Sequence, residues 1–343
     1  MTSNQQKPAE SAESDSISLI EAVGEVKATT QADVFVNKQP LWLPPDARGI
    51  YGGIYLAQCL QATQKTVPND FLIHSMQCRF VAAGKPESPL EHLVERISDG
   101  RNFSTRVVKT KQDEKTVFLA SLSFARLGKA EDNVLSHAEP FPEGIPEPRD
   151  GPVDQILSSA PYVNKKVGLT NADAKDPSRR KAHQWFRASQ KLSPSASIAS
   201  HLSAVAYISD CYMVGLLPHI HGIWDFFRPP LTEFDADGEV LADRSEAHVR
   251  IRGSGENLEG PANGRRVVGM MVTLSHTMLF FSPEDTKADE WMLSELESHW
   301  TGQGRGSITQ KIWSKNGKLL AFCTQEGIVR LQKEEKRKEG SRL

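Results

Sequence analysis

The sequence predicts an α+β protein made of two copies of one unit, each an antiparallel sheet wrapped around a long helix. Three observations carry this. Apolar spacing suits a helix from Ile54 to Val67 and another from about Ile198 to Leu217. Each helix is followed by strand-like stretches rather than by further helices, the order of an antiparallel sheet with a helix across one face. The halves also rhyme. His74-Ser75-Met76 matches His276-Thr277-Met278 at an offset of 276 − 74 = 202, and Thr116 to Arg126 matches Leu320 to Arg330 at 330 − 126 = 204.

The elements follow in order. Residues 1–18 are polar and read as a disordered tail. The first unit covers 19–127. Gly52-Gly53 stands at the N-terminal end of its helix, and Pro68-Asn69-Asp70 ends it. Strands are predicted at Phe71 to Phe80, Leu90 to Ile97, Asn102 to Gln112 and Thr116 to Ala125, with turns at Asp99-Gly100 and Gln112 to Lys115. Residues 128–183 read as a linker, because the proline-rich run from Pro140 to Pro152 sustains neither helix nor sheet. The second unit covers 184–331, with strands at Val267 to Phe281, Trp291 to Ser298, Ser307 to Trp313 and Leu319 to Val329. Asn316-Gly317 signals a two-residue type I′ hairpin between the last two. Residues 229–266 form a polar, glycine-rich insertion expected to be an exposed loop, and 332–343 a charged tail.

Composition narrows the function classes. The 343 residues carry 41 Lys+Arg against 43 Asp+Glu, so no global basic field argues for nucleic acid or an anionic membrane. Four cysteines, at 59, 78, 211 and 323, have no C-x-x-C spacing and read as buried thiols in a reducing compartment. No run reaches the ~18 apolar residues of a membrane helix, and the first 18 residues lack an apolar signal core. There is no G-x-S-x-G, which argues against a serine hydrolase on an α/β-hydrolase sheet. Gly302 to Gly306 reads as a turn rather than a nucleotide loop, and His74 as a satisfied core histidine. No metal or redox cofactor is expected.

An ordered set of motifs carries a resemblance. It comprises Leu41-Trp42, Arg48-Gly49, Gly52-Gly53, His74-Ser75, Val94-Glu95-Arg96 and Asp99-Gly100-Arg101-Asn102-Phe103-Ser104-Thr105-Arg106. In the second half come Trp185-Phe186-Arg187, Tyr207-Ile208-Ser209-Asp210, Thr273-Leu274-Ser275-His276-Thr277-Met278 and Gln325-Glu326-Gly327-Ile328-Val329-Arg330. Over roughly residues 34–330 the chain resembles the acyl-CoA thioesterase II family of double-hotdog enzymes. The resemblance implies a tandem double hotdog that hydrolyses acyl-CoA to free fatty acid and CoA. The family's Asp, Ser/Thr and Gln, which hold the attacking water, map by position onto Asp210, Thr273 and Gln325.

Those residue types suit the reaction. A neutral water must lose a proton as it attacks a thioester, and a carboxylate can take it. A hydroxyl and a carboxamide offer donors and acceptors that orient water or support an oxyanion. Taken alone, Asp210 reads as a capping or solvated residue, Thr273 as a β-former, and Gln325 as solvent-facing. By the offsets above, Thr273 and Gln325 correspond to Phe71 and Ser121, so one active site per chain is expected. Gly52, Gly53, Arg101, Arg106 and Arg305 are candidates for substrate binding, the arginines for the CoA phosphates.

Three positions depart from the family pattern: Ile54 where Gln is usual, Ser275 where Asp is usual, and Phe281 where His is often seen. They bear on the groups that support the three mapped side chains and on substrate preference. Two other readings remain open: an acyl-CoA-binding protein that has lost catalysis, and an enoyl-thioester hydratase on the same fold, whose chemistry wants a His with an acidic partner. Ser341-Arg342-Leu343 is a conservative variant of the S-K-L address, which predicts import into the peroxisome matrix by a receptor. Hotdog sheets often pair edge to edge, so the resemblance admits a homo-oligomer. It leaves acyl-chain preference open.

Overall fold

The computed structural model describes residues 17–43, 48–128, 134–148, 161–223, 233–234 and 268–331. The predicted targeting tripeptide Ser341-Arg342-Leu343, nearly all of the N-terminal tail, and all of the 229–266 insertion except 233–234 lie outside the described residues.

A short helix, α1 (Leu19–Gly24), and strands β1 (Val26–Ala28) and β2 (Val34–Asn37) lead into helix α2 (Gly52–Gln64). Strands β3 (Phe71–Phe80), β4 (Glu91–Asp99), β5 (Phe103–Gln112) and β6 (Lys115–Arg126) follow. The second half runs β7 (Tyr162–Thr170), β8 (Lys181–Ala188), α3 (Ile198–Ser209), α4 (Leu216–Ile220), β9 (Glu233–Phe234), β10 (Val268–Phe280), β11 (Met292–Gly302), β12 (Arg305–Ser314) and β13 (Leu319–Leu331). All the strands belong to one sheet, in the order β1-β2-β4-β5-β6-β3-β10-β13-β12-β11-β8-β7-β9. Every pairing is antiparallel except β7 with the two-residue β9.

The halves join through β3 and β10, with Gln77 opposite Thr277 at the centre, Met76 opposite Met278 and Cys78 opposite His276. The chain is therefore a tandem double hotdog, as predicted. Alternation along each strand separates the two faces. On β12, Gly306, Ile308, Gln310 and Ile312 are buried, whereas Arg305 just before them and Ser307 between them are exposed. The inner face packs on α2 and α3. Both helices are buried nearly all round, because each lies between the sheet and the other helix. They run antiparallel: a Cβ on Gly53 would run into the Tyr207 carbonyl oxygen, and Ser203 Oγ donates to the Ala57 carbonyl at 3.2 Å.

Four expectations need correction. The second helix does not reach Leu217. It stops at Ser209, with Asp210 as its C-cap and Tyr212 at φ 68°, and a separate turn of helix resumes at Leu216. The stretch read as linker contains β7 and the first three residues of β8; the alternation of β7 is obscured by Lys165-Lys166 and interrupted by a register shift before Gly168. Asn316-Gly317 is not a two-residue type I′ turn. Only Gly317 has positive φ; Gly317 N–H donates to the Ser314 carbonyl, and Ser314 N–H to the Lys318 carbonyl. This is a type I turn closed by a left-handed glycine. The two-residue turns with both central residues at positive φ are Asp113-Glu114 and Gln303-Gly304.

Part of the proline-rich segment lies on the outer face of the second half. The indole N–H of Trp185 donates to the Pro146 carbonyl at 2.9 Å, Lys311 reaches Glu139 at 2.8 Å, and Phe141 packs against Trp185 and Trp313.

The fourth correction is the repeat offset. Both central strands carry the same one-residue bulge, at His74 between Ile73 and Ser75 and at Leu274 between Thr273 and Ser275. Aligning the bulges gives 273 − 73 = 200 for this strand. Across the next ladder, Gly327 opposite Thr273 and Phe124 opposite Ile73 give 327 − 124 = 203. Thr273, His276 and Gln325 thus correspond to Ile73, Met76 and Leu122 rather than to residues two or one positions earlier. The side-chain period in a strand is two, so a two-residue slip keeps every residue on its face and goes unnoticed in the sequence.

Candidate active site

Asp210 caps α3 where that helix meets the N-terminus of α2. Gln325 Nε2 donates to Asp210 Oδ1 at 2.7 Å, and the Gly53 backbone N–H also donates to the carboxylate. The other oxygen is so close to α2 that a Cβ on Gly52 would lie 2.5 Å from it, with the Phe80 ring at 3.1 Å. A side chain there would displace the carboxylate; glycine lets the helix end approach it. Tyr51, the residue before α2, donates its hydroxyl to the Tyr207 carbonyl at 3.0 Å and packs edge-on to the Tyr207 ring. These contacts hold the end of α3 against the start of α2.

Burial pushes the Asp210 carboxyl up to about 7; the Gln325 and Gly53 hydrogen bonds act in the opposite direction. The positive end of the α2 dipole also favours the ionised form. The carboxyl is therefore balanced between its two states near neutral pH, where a proton acceptor is most useful.

Gln325 is buried in the middle of β13, opposite His276 on β10. Its Oε1 is buried without a hydrogen-bond partner among the described residues. The β10 bulge decides where Thr273 goes. Thr273 and His276 are three residues apart, an odd number that would put them on opposite faces of a regular strand. Leu274 is the extra residue, so Thr273 pairs with Gly327 on the face that also carries Gln325. The structure brings Asp210 and Gln325 into contact and sets Thr273 one inner-face position along. No hydrogen bond joins Thr273 to either among the described residues.

Of the predicted substrate-binding residues, Gly52 and Gly53 stand at Asp210, but the three arginines do not. Arg106 is fully buried, and all five of its N–H donors are engaged: by Thr66 Oγ1, the carbonyls of Thr66, Ser98 and Thr105, and Asp99. It has no donor left for a phosphate; it ties the turn after α2 to β4 and β5. Arg101 lies in the β4–β5 turn, near the Phe71 end of β3 and away from Phe80. Arg305 is on the outer face, bonded to Glu326 at 2.6 Å and over the Trp300 ring. Sequence alone does not say which face of a strand an arginine occupies.

The departures from the family pattern leave the inner face largely untouched. Ser275 pairs with Glu326 on the outer face, Phe281 is exposed just past β10, and Ile54 is buried in the first turn of α2. His74 is half-buried, with Nε2 2.8 Å from Ser123 Oγ. His276 is not among the predicted site residues, yet its Nδ1 is 3.3 Å from Gln325 Nε2 and its Nε2 is 3.1 Å from Ser209 Oγ. Its place in the motif beside Thr273 was the available signal.

Comparison with known proteins agrees with the double-hotdog fold. The model of the acyl-CoA thioesterase N-terminal domain matches residues 39–125, and that of the C-terminal domain residues 136–329. The chain belongs to the acyl-CoA thioesterase II family. Acyl-coenzyme A thioesterase 8 of Mus musculus is 30% identical over 317 residues, covering 85% of this chain and 83% of that protein. Peroxisomal acyl-coenzyme A thioester hydrolase 1 of Saccharomyces cerevisiae is 25% identical over 333 residues, covering 86% and 90%. Among solved structures, the acyl-CoA thioesterase II TesB2 of Mycobacterium marinum has the same fold, with a TM-score of 0.64 at 23% identity over 92% of this chain and 99% of that one. The thioesterase family is one of thioester hydrolases, and this chain keeps one polar constellation. In its first half, the positions of Thr273, His276 and Gln325 hold Ile73, Met76 and Leu122, all with no exposed surface.

Proposed function

We propose that this thioesterase hydrolyses fatty acyl-CoA to the free fatty acid and CoA by direct attack of a water held by Asp210, Gln325 and Thr273. The observation that carries the reading is the Asp210–Gln325 pair. A carboxylate and the unpartnered Gln325 Oε1 converge on the inner face, and both can accept hydrogen bonds from one water. As the water oxygen bonds to the thioester carbon, its proton passes to Asp210. The tetrahedral intermediate then collapses, the C–S bond breaks, and the CoA thiolate leaves and takes up a proton. The N-terminus of α2 favours the developing oxyanion, and Thr273 supplies a hydroxyl on the same face. Prior placement of the water lowers the entropic part of the barrier, with no covalent acyl-enzyme.

The proposed setting is the peroxisome matrix. Its support is the Ser341-Arg342-Leu343 tripeptide, together with the S. cerevisiae relative whose name places that protein in the peroxisome.

The test is thiol release from a panel of acyl-CoAs by wild type and Asp210→Asn. Asn keeps the shape and cannot take the proton, so the rate falls by about 100-fold or more while acyl-CoA binding persists. Wild type that binds acyl-CoA and releases no thiol across the panel would make this a binding protein.

A further inference from the structure

We propose that His276 is a positioning residue that fixes which way the Gln325 carboxamide faces, through a one-way hydrogen-bond chain running back into α3. The inference rests on the water-holding reading of Gln325 and deepens it. The chain can be followed from either end. Ser209 Oγ donates to the Ala206 carbonyl at 2.8 Å, which uses its only hydrogen. Towards His276, 3.1 Å away, that oxygen can then only accept, so His276 Nε2 carries the proton. From the other end, an ionised Asp210 accepts only, so the group of Gln325 that faces it at 2.7 Å must be the NH2. The second hydrogen of that NH2 is directed to His276 Nδ1 at 3.3 Å, which must be the bare nitrogen. Both ends give the same tautomer. Burial lowers the imidazolium pKa to about 4, so the ring is neutral and has one N–H to place.

With both hydrogens of the Gln325 amide engaged, its Oε1 is the atom left facing the site. An amide flip would turn that oxygen towards Asp210 and break both contacts at once. The fold does not require a histidine for packing here. The corresponding position in the first half is Met76, opposite Leu122, and both are completely buried. The second half therefore keeps a polar pair where an apolar one fits, which is a burden on stability unless the pair has a use.

Two measurements test this. Nitrogen-15 resonances of the wild-type imidazole report the tautomer directly: a protonated Nε2 and a bare Nδ1 are expected, and the reverse assignment overturns the proposal. In thiol-release kinetics, His276→Met copies the residue of the first half and removes the acceptor. A fall in kcat of about 100-fold is expected, the scale of a misplaced reacting group, with KM little changed. His276→Asn restores an acceptor near Nδ1 and should recover most of kcat. Near-wild-type kcat in the folded His276→Met variant would refute the positioning role. Wild type inactive on every acyl-CoA would refute the hydrolase reading instead, and the tautomer would still decide whether the chain exists.

Discussion

At the scale of single residues, the environment rather than the residue type distinguishes Asp210. Its carboxyl titrates near 7 because burial outweighs two hydrogen-bond donors. A base works in its ionised form, so kcat/KM should rise with pH through about 7 and level off above it. Gln325→Leu removes a donor to the ionised form, so the rising limb should move to higher pH as activity drops. A limb that does not move would dissociate Asp210 from the proton transfer. Stability has the opposite sign. Between the ordinary carboxylate value of 3.8 and about 7, the folded chain holds a proton that the unfolded chain has released. Asp210 therefore makes the fold less stable as pH rises through that window. Asp210→Asn should raise the melting temperature at neutral pH by a few degrees while removing activity, a pattern of sites where function opposes stability.

At the scale of elements, the site depends on two helices approaching more closely than side chains allow. Gly53 lies against the Tyr207 carbonyl, a backbone atom that cannot swing away. Gly53→Ala should cost about 1–3 kcal/mol in urea unfolding, the range for overpacking, and should lower activity by separating Asp210 from the start of α2. Gly128→Ala is the control, since nothing among the described residues lies within 4 Å of a Cβ there. Equal stabilities for the two variants would show that the helices part without cost. The bulge at Leu274 in β10 has a comparable role, since it turns Thr273 to the inner face. Apart from β7 and β8, the long strands were legible from apolar period and turn residues, as was the presence of both long helices. The bulges were not, because an inserted residue leaves no mark in a short apolar stretch. Nor were β1 and β2, whose three and four residues are too short to show a period.

At the scale of the whole molecule, the halves share one sheet and one core. The β3–β10 ladder crosses the boundary, and the two helices that carry the site come from different halves. Separating them would expose two strand edges and the apolar faces of α2 and α3. Unfolding should therefore be one transition, with tryptophan fluorescence and far-ultraviolet circular dichroism giving the same midpoint. Two separated transitions would mean that each half holds together alone. The duplication also accounts for proposing one site per chain. The first half fills its equivalent positions with Ile73, Met76 and Leu122, and buries Arg106 at the counterpart of Ile308.

By itself, the sequence determined the doubled α+β plan, the limits of β3 to β6 and β10 to β13 to within a few residues, and the three residue types of the proposed site. Periodicity and motif order are local properties, written along the chain. Tertiary structure decided what depends on distance and direction: the 2.7 Å contact between residues 115 positions apart, the face taken by each arginine, and the bulge that aligns Thr273. It also decided that His276 stands behind Gln325. These follow from pairing register and helix approach, which the packing of both halves sets together and no local segment encodes.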